Sequence, residues 1–347
     1  MAVLKVGIIG AGGIAQSVHI PNYLKSGFDV EIVGIADISL DRANEVAKEF
    51  DIPHVYASYE DMLAEVSLDA VSVCVPNKFH ADASIAALKA GCHVLCEKPP
   101  AMNAEEAAHM RQVADEAGKI LTYGFHFRYQ PEVETAKAFV DAGEMGDIYS
   151  ARVQAIRRRG IPGWGVFTNK DLQGGGPLID IGVHMLDVAL YLMGYPEPDI
   201  VLGKVHQQIG NREGVGLLGS WDWENYSVED MAVGMITFKN GATLMLEAAF
   251  AANVEKNDTM QVALMGNKGG ADIFPLKIYQ EKLNTLVDVT PVYLPEINGH
   301  SREVSHFVES CLGKVEPLST PEQGVIIQEI IDAIYKSAET GEAIKFD

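Results

Sequence analysis

Residues 10–15 read Gly10-Ala11-Gly12-Gly13-Ile14-Ala15, a Gly-x-Gly-x-x-Ala pattern placed directly after an apolar run at 5–9. Each position has a physical role in a turn that cradles a diphosphate. Gly10 permits the tight turn, Gly12 lets the backbone approach a phosphate with no Cβ in the way, and Ala15 allows a helix to pack closely on the strand. Gly13 and Ile14 open that helix, whose free N–H groups and positive dipole end suit an anion. Asp37 closes the next β-branched run, where a carboxylate accepts hydrogen bonds from both adenosine ribose hydroxyls and repels a 2′-phosphate. The expected cofactor is therefore NAD, with NADP kept open by Ser39 and Arg42 nearby.

A second constellation lies far along the chain. Asp180 and His184 stand four apart on one face of a strongly periodic helix expected over 180–193. Histidine is the side chain whose ordinary pKa suits proton exchange near neutral pH. With Asp187 the same face offers an oxygen and nitrogen set for a metal, but no other ligand-rich motif accompanies it and no metal is expected. A helix cap at Asp180 with an internally satisfied His184 is the plain structural alternative. Upstream, Arg157-Arg158-Arg159 and Trp164 precede a triple glycine. Trp164 offers an apolar plate, and an arginine or Lys170 a grip for hydroxyls or a phosphate; pairing with surface carboxylates serves three arginines equally well.

These residues need a scaffold, and 347 residues at ~100–200 per domain argue for about two domains. Over the first 123 residues, β-branched runs at 5–9, 31–36, 70–75, 93–96 and 120–123 alternate with helical stretches at 40–50, 59–64, 80–90 and 104–117, the mark of βαβ units and a parallel sheet. Pro21 falls inside what would be the first helix. Beyond 124 the runs at 149–156, 231–238 and 243–250 predict a mostly antiparallel sheet, with a hairpin turn at Lys239-Asn240-Gly241 and a closing helix over 321–340. The glycine-rich stretch 210–227 is expected as a long loop.

A net charge of −21 disfavours nucleic acid and anionic membrane surfaces. No run approaches the ~18 uninterrupted apolar residues of a membrane span, and the glycines in 6–15 argue against a secretory signal. Cys74, Cys92, Cys96 and Cys311 contain no Cys-x-x-Cys pair, so free thiols in a reducing cytoplasm are expected.

Three further segments narrow the reading: Cys74-Val75-Pro76-Asn77-Lys78-Phe79-His80, Cys96-Glu97-Lys98-Pro99-Pro100, and Gly174-Gly175-Gly176 followed by Asp180 and His184. Together with the glycine turn they resemble the Gfo/Idh/MocA oxidoreductase family over essentially the whole chain. The resemblance implies an α/β fold: an N-terminal Rossmann domain, expected over 1–123, and a C-terminal α+β domain over 124–347 built on an open sheet whose exposed face forms dimers or tetramers. It implies NAD(P) binding and oxidation or reduction at one carbon of a sugar or cyclitol. Lys98 would be the active-site lysine, hydrogen-bonding the reacting oxygen and stabilising its developing charge, with the Lys98–Pro99 bond cis. His184 would be the general base and Asp180 would hold a substrate hydroxyl. Pro76, Asn77, His80, Glu97 and Lys98 would border the cofactor, with His80 capping or packing its own helix as the plain alternative and carrying no chemistry. His126, which stands where the family often has Asn, and Arg128 match a substrate-side segment, and Arg157 and Trp164 a loop of members acting on glucosides and anhydrosugars. The chemistry expected is hydride transfer between NAD and a secondary alcohol of a sugar, glycoside or cyclitol, in a cytoplasmic homo-oligomer, with Lys98 and His184 meeting at one oxygen. Two alternatives stand beside it. A glycosidase using tightly held NAD would cleave glycans without net NADH, and a non-catalytic NAD-binding sensor or co-repressor would have no use for Lys98, Asp180 and His184.

Overall fold

The computed structural model describes residues 3–346, which divide into two compact units. The first comprises the chain up to Tyr129 together with Ile297–Val325. Its six strands are β1 Leu4–Ile9, β2 Val30–Ala36, β3 His54–Tyr56, β4 Ala70–Val73, β5 His93–Cys96 and β6 Leu121–Tyr123, all parallel in the order β3-β2-β1-β4-β5-β6. The order reverses between β1 and β4, which opens a crevice at the carboxyl ends of the strands. The connecting helices are α1 Ile20–Leu24, α2 Leu40–Glu49, α3 Tyr59–Glu65, α4 His80–Lys89 and α5 Ala104–Ala117. Ser39, Ser58 and Asn103 cap α2, α3 and α5 through their side-chain oxygens, and left-handed Gly118 ends α5. The three-residue edge strand β3 was invisible as an apolar run because its side chains are only half-buried or exposed.

Two features depart from the linear reading. A π-helical turn, Ala15–His19, precedes α1, with the Ile20 N–H bonded to the Ala15 carbonyl, and Pro21 falls in the first turn of the new α-helix. Proline has no N–H to give and tolerates that position, so the wide turn absorbs it. The second departure concerns α9, Gly299–Cys311. It belongs to the first unit, where Val304, Phe307 and Val308 enter the same core as Leu4, Val6, Ile8, Tyr23 and Ile32. Helical spacing of three apolar residues supplies the stripe, but a contiguous boundary at 123 and 124 hides its destination.

The second unit comprises Gln130–Glu296 and the residues from Ile326 onward. It holds α6 Pro131–Asp141, α7 Lys170–Gln173, α8 Val183–Met193 and most of α10, Pro321–Thr340. Its strands are β7 Ile148–Arg157, β8 Pro198–His206, β9 Met231–Phe238, β10 Thr243–Ala249, β11 Asp258–Gly266, β12 Gly269–Asp272, β13 Lys277–Lys282, β14 Thr285–Val289 and β15 Ile344–Lys345. They form one sheet in the order β14-β13-β12-β11-β7-β10-β9-β8-β15, antiparallel except for the β7–β10 pair. The β9–β10 turn is the expected one, with Gly241 at φ +86° and Asn240 Oδ1 accepting the Ala242 N–H. Alternate residues such as Val153, Leu244 and Leu264 are buried on the side where α8 packs, each stabilising by ~1.5–3 kcal/mol. The opposite face leaves Leu202, Met235 and Met245 in one cross-strand row, about half exposed. The run Lys170–Met193 has the length and apolarity of a membrane span, and 83% of its most apolar window is buried as core.

Candidate active site

In the first unit, the turn after β1 has the geometry its residue types require. Gly10 adopts φ +96°, its N–H bonds to the Ala36 carbonyl at 2.8 Å, and a Cβ there would stand 2.6 Å from the Cys74 carbonyl oxygen. A Cβ on Gly13, by contrast, would meet nothing within 4 Å, and one on Gly12 only the Cys74 oxygen at 4.0 Å. The turn is thus crowded on its strand side and open on the other, next to the first N–H groups of the helix. Asp37 braces it. Its Oδ2 accepts the Ala11 N–H and its Oδ1 the Ser39 N–H, both at 2.8 Å, leaving a lone pair on each oxygen for a diol. An open glycine cradle beside a positioned carboxylate fits a dinucleotide.

Pro76 and Asn77 leave β4 in a short 3-10 turn, Asn77–Phe79, at the same carboxyl edge. Lys98 leaves β5 there, and the Lys98–Pro99 bond is cis, as the resemblance implied. The backbone around Lys98 is held by two buried side chains. Glu97 Oε2 accepts the Lys98 N–H at 3.2 Å, and His80 Nδ1 lies 2.8 Å from the Pro99 carbonyl oxygen while its Nε2 lies 2.9 Å from that of Val75. Both side chains turn into the protein. His80 is 1% exposed with each ring nitrogen facing a carbonyl, and Glu97 turns its other oxygen inward to His19 Nε2 at 2.9 Å. Both brace the backbone at this carboxyl edge. The guanidinium of Arg128 is fully buried and donates to the Leu318 carbonyl and Gln323 Oε1.

His126 stacks on His300 of α9 with ring centroids 3.7 Å apart. Burial, reinforced by His300, pushes its pKa down to about 3, so it stays neutral at physiological pH. Glu97 moves the opposite way to a buried carboxyl. The hydrogen bond and charge of His19, with the charge of Lys98, outweigh desolvation and hold it down to about 2.

The second unit presents Asp180 and His184. Asp180 lies in a π-helical turn, Leu178–Gly182, that runs into α8, and its N–H bonds to the Gly176 carbonyl. Gly182 brings this turn against β10, since a Cβ there would stand 2.9 Å from that of Ala248. His184 is buried on α8. The triple glycine has a cause: left-handed Gly174 ends α7, a Cβ on Gly175 would overlap the Tyr335 hydroxyl, and one on Gly176 the Glu229 carbonyl. Glu229 then clamps the turn, its Oε2 accepting the Gly176 N–H and its Oε1 accepting the Leu178 N–H and Tyr335 hydroxyl. Asp187 accepts the Tyr195 hydroxyl at 2.6 Å.

Trp164 is 56% exposed with its ring edge to Phe167. Arg157 donates to the Gly160 carbonyl, Arg158 to the Glu255 carbonyl, and Arg159 to the Ala252 carbonyl and Asn253. Among the described residues these arginines donate to backbone carbonyls and a side-chain amide rather than to carboxylates. Trp221, in the irregular 210–227 stretch, is anchored by its Nε1–H on the Gly210 carbonyl.

Sequence reasoning missed His19, Glu229 and Asp230. His19 carried a weak signal, a polar residue on the helix behind the glycine turn. Two adjacent acids directly before the apolar strand β9 were a stronger one, and Asp230 Oδ2 accepts the N–H groups of Gln208, Ile209 and Gly210.

Residues 4–125 match the model of an oxidoreductase family with an NAD-binding Rossmann fold, and 137–346 the family's C-terminal alpha/beta domain. The chain is 43% identical to D-glucoside 3-dehydrogenase of Escherichia coli, covering 99% of this chain and 97% of that protein. It is 30% identical to D-xylose 1-dehydrogenase (NADP(+)) 2 of Haloferax volcanii, covering 99% of this chain and 100% of that one. A levoglucosan dehydrogenase solved in complex with NADH superposes with a TM-score of 0.85 at 24% identity, covering both chains completely.

Proposed function

Because the chain belongs to the Gfo/Idh/MocA oxidoreductase family, we propose that it is an NAD-dependent dehydrogenase that oxidises a secondary hydroxyl of a D-glucoside, position 3 being the favoured carbon. The observation that carries the hydride-transfer reading is the shared carboxyl edge of one parallel sheet. The open glycine turn leaves β1 there and Lys98 leaves β5 there, with β4 and its Pro76-Asn77 exit between them. The 43% identity along the full chain supports the glucoside and its carbon.

In this reading the Gly12–Gly13 backbone holds the cofactor diphosphate and Asp37 holds the adenosine ribose diol. The nicotinamide, when bound, accepts the hydride from the carbinol carbon. Lys98 donates a hydrogen bond to the reacting oxygen and stabilises the negative charge that grows as its proton leaves. The proton goes to a ring nitrogen of His184, and Asp180 fixes a neighbouring hydroxyl so that the C–H bond is correctly aimed. Trp164 covers an apolar sugar face. NAD is favoured over NADP by the carboxylate of Asp37. The cytoplasm is the compartment, supported by cysteines that are free thiols, and the half-exposed apolar row of Leu202, Met235 and Met245 supports a homo-oligomer joined through the open sheet.

The test is NADH formation at 340 nm with methyl D-glucosides, free hexoses and inositols, NADP run in parallel. Lys98→Ala and His184→Ala should each lower turnover ~10²-fold or more with NAD affinity largely kept. Unchanged turnover in both variants removes these roles, and glycan cleavage without net NADH replaces the dehydrogenase with a glycosidase.

A further inference from the structure

A polar chain that no part of the proposed chemistry uses runs through the core of the first unit. Tyr23 OH lies 2.7 Å from Ser72 Oγ, Ser72 Oγ 3.0 Å from His19 Nδ1, and His19 Nε2 2.9 Å from Glu97 Oε1. Its four members are 1%, 0%, 0% and 8% exposed. An ionised carboxylate only accepts, so His19 Nε2 carries a proton and donates to Glu97 Oε1, while Nδ1, Ser72 and Tyr23 extend the same buried row. The far end of the chain is Glu97 Oε2, which accepts the backbone N–H of Lys98.

We propose that His19 is a positioning residue for Lys98, acting through Glu97, and that it indexes the lysine to the helix that begins at the glycine turn. Three observations carry this. The π-helical turn Ala15–His19 ends on His19, so the element that starts beside the expected diphosphate is the one that delivers the imidazole to Glu97. The Glu97 carboxylate is buried and its Oε1 is held by His19 Nε2 at 2.9 Å, so removing the imidazole leaves that oxygen without this partner and free to reorient. Finally, the Glu97 N–H is bonded to the Val73 carbonyl and the Pro99 carbonyl faces His80, so Glu97 Oε2 completes the set that holds the peptide on both sides of Lys98. A rotation of the Glu97 carboxylate releases the one side-chain brace on the Lys98 N–H that these bonds include.

The inference rests on the reading of Lys98 given above, and the experiment separates the two. His19→Leu, His19→Gln, Ser72→Ala and Lys98→Ala are compared with methyl β-D-glucopyranoside and NAD for kcat, both KM values and NAD affinity by fluorescence. Lys98 reactivity is read independently in the apo-protein by limited acetylation and mass spectrometry. His19→Leu should lower kcat about 10-fold or more with each KM within about 3-fold, because a misplaced lysine weakens only transition-state contacts. It should also change Lys98 acetylation by at least about 3-fold relative to the other lysines, while His19→Gln, which keeps an N–H near the Nε2 position, recovers most of both. A kcat within about 2-fold of wild type, a loss confined to KM, or glutamine no better than leucine overturns the proposal. If His19→Leu does not fold, Ser72→Ala decides, with a several-fold fall in kcat supporting the proposal and an unchanged kcat overturning it. Unchanged turnover in Lys98→Ala overturns the reading of Lys98 instead.

Discussion

Asp37 braces the glycine turn and, in the proposed function, holds the adenosine ribose, and one substitution series separates the two. Its two oxygens already accept the Ala11 and Ser39 N–H groups at 2.8 Å, which fixes the glycine turn and the start of α2. In the proposed function their remaining lone pairs accept from the adenosine ribose diol. A hydrogen bond to a charged group contributes ~1.5–3 kcal/mol, so losing two ribose bonds in Asp37→Ala costs about 3 kcal/mol or more, an NAD kcat/KM lower by ~10²-fold. For NADP the same carboxylate opposes a 2′-phosphate. Two unit charges 4 Å apart repel by about 4 kcal/mol at an effective dielectric near 20, and by about 1 kcal/mol where water reaches them. Asp37 is only half-buried, so a value of about 2 kcal/mol is reasonable, and its removal raises NADP use while NAD use falls. The NADP-to-NAD ratio of kcat/KM should therefore rise by ~10³–10⁴-fold in Asp37→Ala. Asp37→Asn keeps an acceptor for one N–H and should shift the ratio with a smaller loss of thermal stability. Initial rates with both cofactors and a melting curve for each variant provide the readout. A ratio that moves less than about 3-fold, or a wild type that already prefers NADP, refutes the reasoning.

Glu97 should shape the acid limb of stability. Its folded pKa is lowered from 4.5 to about 2, so its contribution is present above the unfolded value and is lost as pH falls through the folded one; the difference is on the order of 3 kcal/mol between about pH 5 and pH 2. Urea unfolding across that range should show a flatter dependence in Glu97→Gln than in wild type, at lower stability near pH 7. In the second unit, Gly175→Ala should destabilise by about 2 kcal/mol or more by driving a methyl into the Tyr335 hydroxyl, measured by thermal unfolding. Tyr335→Phe alone should cost about 1 kcal/mol through the lost bond to Glu229, yet soften the alanine's effect in the double variant; strictly additive losses would show that the crowding is not there.

The parts of this molecule readable from sequence are those where local spacing and chemistry coincide. The glycine turn and Asp37 sit at the ends of adjacent strands, and Gly174 to His184 fall on one continuous helical entrance, so short-range pattern was enough. What could not be read depends on where side chains point after packing. His80, Glu97 and Arg128 neighbour the reactive positions in sequence but face inward, a choice made by carbonyls and partners such as His19, 78 residues from Glu97. Clamps of this kind leave no periodicity. Glu229 lies 53 residues from Gly176, the glycine it holds, and only the oddity of a buried-strand neighbour bearing two acids hinted at it.

The return of residues 297–325 to the first unit has a consequence for the order in which this protein is made. A ribosome that has released the first 129 residues has delivered every strand of the parallel sheet but not α9, whose Val304, Phe307 and Val308 complete the apolar interior behind β1 and β2. The nascent nucleotide-binding half must wait, with part of that interior open to water, through the synthesis of nearly the entire remaining chain. At ~5–20 residues per second that interval lasts on the order of ten seconds or more, a window in which a chaperone or an early bound dinucleotide has something to protect.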